Sequence, residues 1–221
     1  TAIIGKEIVD IPRNRYLGAI WSYGETRQAS FSSLIKHQIN ENWKLNINSS
    51  FQNYDRFSKG TERIQPEKDG KWERPLGQNH NQEQLFAEQI NIQGTFFTGK
   101  VKHQLVTGID FDLSYADANT FTFEPKTYGS GNIFDFHNFD QGGAIPEALH
   151  TKIASTETIR FGAYFQDLIS LSNKFKVLAG IRWSWQDAQV TSKDLTKSPI
   201  EIKKEGTRID QAFSPKFGLV Y

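Results

Sequence analysis

An all-β chain of antiparallel strands is the fold class this sequence predicts, on three observations. The first is alternation. In "NKFKVLAGIRWSWQD" (173–187), Phe175, Val177, Ala179, Ile181, Trp183 and Trp185 share one phase, and Lys174, Lys176, Gly180, Arg182, Ser184 and Gln186 share the other, with Leu178 out of step. Successive strand side chains point to opposite faces, so such a run makes a sheet with one oily side and one charged side. The second is rhythm: turns of a few residues near 40, 97 and 172 alternate with long segments at 55–82, 116–156 and 188–210, well beyond ordinary connection lengths. The third is strand length, since alternating runs of about 11 to 15 residues exceed the usual 5 to 6 of globular sheets.

Taken in order, "ASFSSLIKHQI" (29–39) carries Phe31, Ile35, His37 and Ile39 in one phase. "WKLNINSSFQNY" (43–54) sets Trp43, Leu45, Ile47 and Phe51 against Lys44, Asn46, Asn48, Ser50 and Gln52, and the intervening "NEN" suits a tight hairpin turn. "EQLFAEQINIQGTF" (83–96) is a weaker strand, because Glu88 interrupts the phase of Phe86, Ile90, Ile92 and Phe96. It turns through "TFFTGK" into "VKHQLVTGIDFDLSY" (101–115), which opposes Val101, His103, Leu105, Ile109, Phe111, Leu113 and Tyr115 to Lys102, Gln104, Asp110, Asp112 and Ser114. "ETIRFGAYFQDLISL" (157–171) leads through "SN" into the run at 173–187. "QAFSPKFGLVY" (211–221) is the seventh strand, weakened by Pro215, which has no N–H for the ladder.

Composition removes several function classes. A net charge of +1 over 221 residues provides no field that would select nucleic acid. The absence of cysteine excludes disulfides, thiolate catalysis and Cys-based metal sites, and the five histidines (His37, His80, His103, His137, His150) show no ligand spacing. No segment is apolar enough for a transmembrane helix, a test that a membrane barrel evades because alternate residues face water. The chain opens at Thr1 and contains no Met, which points to a processed or cut end.

The charged phase decides which solvent lies where. A basic side chain at the bilayer midplane of a barrel costs about 2–4 kcal/mol, so Lys102, Asp110, Asp112, Arg160 and Arg182 are expected to face an aqueous lumen. The opposite phase then faces lipid, with Trp43, Phe96, Phe97 and Phe175 as one aromatic girdle and Trp183, Trp185 and Tyr115 toward the other. The expected architecture is an antiparallel transmembrane β-barrel segment of about seven long strands, with short periplasmic turns and long extracellular loops. A soluble sandwich, with two apolar faces packed together, is the competing reading.

Several motifs carry a family resemblance. "GAYFQDLISLSNKFKVLAGIRW" (162–183) resembles the barrel signature of TonB-dependent ferric-siderophore receptors, G-x-Y-x-Q-D, short turn, then V-L-x-G-x-R-aromatic. "FSPKFGLVY" (213–221), "LIKHQINENWKLNINSSFQNY" and "KVKHQLVTGIDF" resemble further strands and turns of that family. The resemblance implies a 22-stranded outer-membrane barrel, occluded by a plug, that imports ferric siderophores when TonB pulls on the plug. No enzymatic activity and no resident cofactor is implied, since iron travels as a chelate. The implied partners are the ferric siderophore, TonB through the plug, and outer-membrane lipid. Residues 1–221 read as a partial barrel domain with the plug absent.

Loop aromatics and cations suit an amphipathic, often anionic chelate. Trp72, Arg74, Tyr128, Phe134, Phe136, His137 and Phe139 are the candidate substrate-binding residues, each with the plainer alternative of packing the loop against itself. Asp110 and Asp112, at i and i+2, share one face, and ion pairs to Arg160 or Arg182 suit them better than paired-carboxylate catalysis. Two other readings remain at this point: a complete small outer-membrane barrel with residues 15–27 as an eighth strand, structural or lipid-modifying, and a soluble β-rich binding module.

Overall fold

The computed structural model describes residues 3–12, 14–62, 65–135 and 142–221. Every regular element among them is a strand: β1 (Ile3–Ile4), β2 (Glu7–Ile8), β3 (Tyr23–Asn40), β4 (Trp43–Thr61), β5 (Lys71–Thr98), β6 (Val101–Phe123), β7 (Thr127–Asn132), β8 (Ala148–Ser170), β9 (Lys176–Asp194) and β10 (Glu201–Val220). The long strands form one antiparallel meander, β10-β9-β8-β6-β5-β4-β3, with β7 paired onto the start of β5. All seven expected strands are present. β3 and β10 are the two edges and do not pair, so the described sheet is not closed. The segment at 15–22 contributes no eighth strand.

Cross-strand register makes the two faces explicit. One row runs Ile35, Ile47, Ile90, Ile109, Ala163, Trp183, Phe213 across all seven strands. The neighbouring row of the opposite phase includes Asn46, Asn91, Gly108, Tyr164, Arg182 and Ser214. A slip of one residue in any hairpin would put charges among the isoleucines, so the alternation itself pins the register. Among the described residues no second layer covers the apolar face. Phe31, Ile35, Ile109, Phe165, Ile181 and Phe213 are all exposed, far more than the isolated patch a soluble monomer shows. The packed sandwich is therefore not formed.

The structure corrects several boundaries and phases. Among the described residues, the segments at 55–82, 116–156 and 188–210 are mostly strand, and the stretches between consecutive long strands shrink to 62–70, 124–147 (which holds β7) and 195–200. The last of these is scarcely longer than the turn at 171–175. Phe97 opposes Lys102 and so belongs to the polar phase, while Trp183 lies in the same row as Ile90 and Ile109, inside the apolar band rather than at its rim. Leu178, out of step in the sequence, faces Leu168 across β8 and β9, so the two leucines offset each other's exposure on the polar side. Glu88 does stand in the apolar phase, opposite Ser49 and Phe111.

Near the short turns, Trp43 lies over Gly94, its cross-strand partner, and stacks parallel to Phe96 at 6.3 Å. A Cβ at Gly94 would come within 2.1 Å of the Trp43 ring. This glycine is present because an aromatic side chain covers it, which restores the contacts a missing side chain forfeits. Gly94→Val is expected to lift the indole off the sheet and to lower the stability of the refolded full-length protein by about 1 kcal/mol. Thermal unfolding in detergent measures it, and the Trp43→Phe background should show a smaller loss.

Candidate functional site

At the end of the sheet opposite the short turns, β5 begins with residues that leave the main sheet and pair with β7, Lys71 with Asn132, Trp72 with Gly131 and Glu73 with Ser130. The turn before β5 is closed by Glu67 N–H donating to Lys71 O at 2.7 Å and Gly70 N–H to Glu67 O at 3.0 Å. Gly70 has φ +83, and an added Cβ would strike Phe134 and Asn132 within 2.6 Å, so only glycine fits. Ile133 N–H donates to Gly70 O at 2.9 Å, and Asn132 Nδ2 to Asp69 O at 3.0 Å, tying the two loop strands into one unit.

This unit has its own small core. Leu17, Trp72 and Ile133 are buried together, with Ile4, Val9 and Ile11 packed against them, so the N-terminal segment folds onto the loop. Trp72 is 3% exposed and Arg74 1%. The Arg74 guanidinium lies 5.0 Å from the centroid of Tyr128, and the Trp21 ring stands edge-on to the same tyrosine at a centroid distance of 5.2 Å. The Tyr128 hydroxyl donates to Gly142 O. Trp72, Arg74 and Tyr128 are thus brought together as a packed interior, whereas Phe134 stands 57% exposed beside the turn. Phe136, His137 and Phe139 lie outside the described residues. Sequence reasoning missed Trp21 and the docking of residues 3–22, because isolated apolar residues in an aperiodic segment announce no partner.

Below the loop unit, the polar face of the sheet is bridged. Arg182 on β9 reaches across β8 to Asp110 on β6, in a bidentate pair with both N–H···O distances at 2.7 Å. It passes directly over Gly162, where a Cβ would lie 2.1 Å from Arg182 Nη2. Arg160 donates to Asp112 at 2.8 Å and to Gln186 at 2.9 Å, the residues directly opposite it on both sides. Gln89 Nε2 donates to the Tyr164 hydroxyl at 3.2 Å, and Asn46 Nδ2 to Asn91 Oδ1 at 2.9 Å. The expected carboxylate partners Arg160 and Arg182 are therefore the ones found. Lys102 is exposed on the same face, opposite Ser170.

One sheet with two unlike faces, bridged by charge on one side and capped at one end by a loop unit, defines a section of a β-barrel wall. The chain belongs to the family described as TonB dependent receptor-like, beta-barrel, which matches residues 6–221. It is 21% identical over 217 residues to the metal-pseudopaline receptor CntO of Pseudomonas aeruginosa, covering 96% of this chain and 30% of that protein. The siderophore receptor PiuA of Acinetobacter baumannii superposes with a TM-score of 0.72 at 15% identity, over 96% of this chain and 32% of that one. The pyoverdine outer membrane receptor FpvA of Pseudomonas aeruginosa, solved with pyoverdine bound, gives 0.72 at 19% identity, over 96% and 29%. These structures share the fold, and the chain spans about 30% of the length of the first curated relative it matches.

Two outcomes test the geometry. Gly162→Val is expected to push Arg182 off Asp110 and to cost about 1 kcal/mol, the modest value of a partly exposed pair. In an Asp110→Asn background most of that loss should vanish, a double-mutant cycle on the refolded full-length protein. In the loop, Asp69 accepts from the Lys71 N–H at 3.1 Å and pairs with the Lys71 ammonium at 3.2 Å. These contacts, the backbone bond first, hold its carboxyl below the ordinary 3.8. A depressed folded value means that the turn's stabilisation is intact above pH 3.8 and is lost as pH falls through the lowered value. Pepsin cleavage within 62–70 is expected to rise only below pH 3.8, and in Asp69→Asn to be already raised above it.

Proposed function

We propose that this chain is a wall section, with its loops, of an outer-membrane receptor that imports metal held in a siderophore chelate, energised through TonB. The carrying observation is the two-faced sheet in a chain of this family: continuous apolar rows on one side, bridged charges on the other. From His103 to Leu113 the apolar phase advances ten residues. At roughly 3.4 Å per residue and a tilt of about 40°, that rises about 26 Å, matching the ~25 Å apolar band of outer-membrane barrels. Beyond Leu113 the same phase turns polar, with Asp55, Gln82 and Asp117 in one row, as a wall leaving the membrane requires. The apolar face is then the lipid side and the bridged face the lumen of a barrel of the family's 22 strands. The receptor performs transport rather than catalysis.

The relatives named as siderophore and metal-pseudopaline receptors support the ligand class. The loop unit supplies the contact chemistry in two tiers. Phe134, with Phe136, His137 and Phe139 in the same loop, would meet the chelate. Trp72, Arg74 and Tyr128, packed beneath, would hold that loop in shape. The iron stays ligated by the chelate.

The test is uptake of labelled ferric chelates by cells carrying the full-length receptor, with and without TonB. Wild-type uptake that requires TonB, and a protein about three times the length of this chain that rises on iron starvation, are expected. Phe134→Ala should weaken apparent affinity about fivefold, as loss of one aromatic contact of about 1 kcal/mol does, with the loop still protease-resistant. Trp72→Ala should abolish uptake together with that resistance. Unchanged uptake of every ferric and metal chelate in a deletion strain would sink the proposal.

A further inference from the structure

Unpaired charge is concentrated at one end of the polar face. The stretches 36–44, 97–103 and 170–176, which hold the three short turns, contain six lysines, Lys36, Lys44, Lys100, Lys102, Lys174 and Lys176, against a single carboxylate, Glu41. Cross-strand register fixes the phase of four of them. Lys36 stands opposite Asn46, in the row that ends on Tyr164 and Arg182. Lys44 lies in the next row of that phase, opposite Gln93, and Lys102 and Lys176 flank Ser170 in another. All four therefore point to the side of Asp110 and Arg182, away from the isoleucine rows. Lys100 and Lys174 lie in the turns themselves.

Charge is handled differently along this face. Toward its middle, Arg160 and Arg182 are matched by Asp112 and Asp110. Among the described residues Lys71 is the one lysine in an ion pair, and it belongs to the loop unit at the other end, so the six at the turns carry their charge unneutralised. Like charges gathered without counter-ions repel one another, which folding alone disfavours. Between the loop end and the lysines, β4 presents Asn46, Asn48, Ser50 and Gln52 in the polar phase, and β5 presents Gln89 and Asn91. Neutral amides and hydroxyls exchange hydrogen bonds with water at little net cost, so this strip offers a solute many shallow contacts and no deep one.

We propose that this face walls the path of a net-anionic chelate, which crosses the neutral strip of β4 and β5 and is drawn out through the lysine rim at the short turns. The inference rests on the receptor reading above and narrows its substrate class to chelates that carry negative charge. Rings of basic side chains select anions in pores, and these lysines form the arc of such a ring that this chain contributes. The low-dielectric wall focuses their field into the passage, where it attracts an anion over about a Debye length, ~8–10 Å, and repels a cation. Lipid phosphates suit the rim less well, because Lys36, Lys44, Lys102 and Lys176 stand on the phase opposite to the apolar one.

The test is initial-rate uptake of labelled ferric chelates by cells carrying the full-length receptor, with an anionic tris-catecholate, an anionic carboxylate chelate and a neutral tris-hydroxamate as probes. The wild type should take up an anionic chelate several-fold faster than the neutral one. Lys36→Gln, Lys44→Gln and Lys102→Gln combined should lower the maximal rate for the anionic chelate several-fold and leave its half-saturating concentration, set by the loops, unchanged. Arginine at the same positions should restore most of the rate, since it keeps the charge. Surface labelling and heat-modifiable gel mobility verify equal amounts of folded receptor. Uptake of the neutral chelate at or above the anionic rate, a full rate in the glutamine variant, or an equal loss in the arginine variant overturns the inference and leaves the receptor reading standing. Uptake of none of the chelates by the wild type removes the receptor reading, and the inference with it.

Discussion

The alternation of side chains across a single sheet is the constraint on which everything else in this structure depends. Among the described residues no second layer buries the apolar phase of the large sheet, and each long strand must hold two unlike environments apart over its whole central length. Hydrogen bonding alone would accept any register, since every backbone N–H finds a carbonyl in each. The side chains do not: one residue of slip would carry Arg182 and Asp110 into the row of Ile109 and Trp183. The near-continuous ladders β3–β4, β4–β5, β5–β6, β6–β8 and β8–β9 are the consequence.

The polar face answers the same constraint in a different way. Charges forced into one phase on adjacent strands must either repel or pair, and here basic residues of β8 and β9 reach acidic residues of β6. The Arg182 pair skips a strand, which a side chain at position 162 would prevent, so a glycine in mid-strand is required where propensity alone would disfavour it. The neighbouring Arg160 needs no such gap, because Asp112 and Gln186 stand directly opposite it.

Legibility in the sequence followed the physics. The halves of the strands next to the short turns were readable, because there one face must be apolar and the other must not. The upper halves, such as 55–61, 71–82 and 148–156, are strand although the sequence reads as loop there, because the apolar and polar residue types stop alternating; in 71–76 the buried phase is Trp72, Arg74 and Leu76, so burial alternates while an arginine interrupts the apolar pattern. β7 and the docking of residues 3–22 were invisible for a related reason: their partners, Trp72 and Ile133, are scattered single residues rather than a periodic face. His103 was visible as a polar residue in an apolar phase. Its partner was not, since Asp167 is 64 residues away and proximity of that kind comes from topology.

A wall that needs only the right class of side chain in each phase can be built from almost any sequence that alternates. A TM-score of 0.72 at 15% identity expresses that freedom. The loop unit is under the opposite regime: Gly70 admits no other residue, Trp72 and Ile133 fill a small core, and Arg74 is locked on Tyr128. Similarity along the wall therefore speaks to how the chain sits in its two solvents and hardly at all to what it binds. In the segment between β6 and β8 and the turn before β5 that grips it, individual atoms decide the fit, where along the wall the class of side chain is enough.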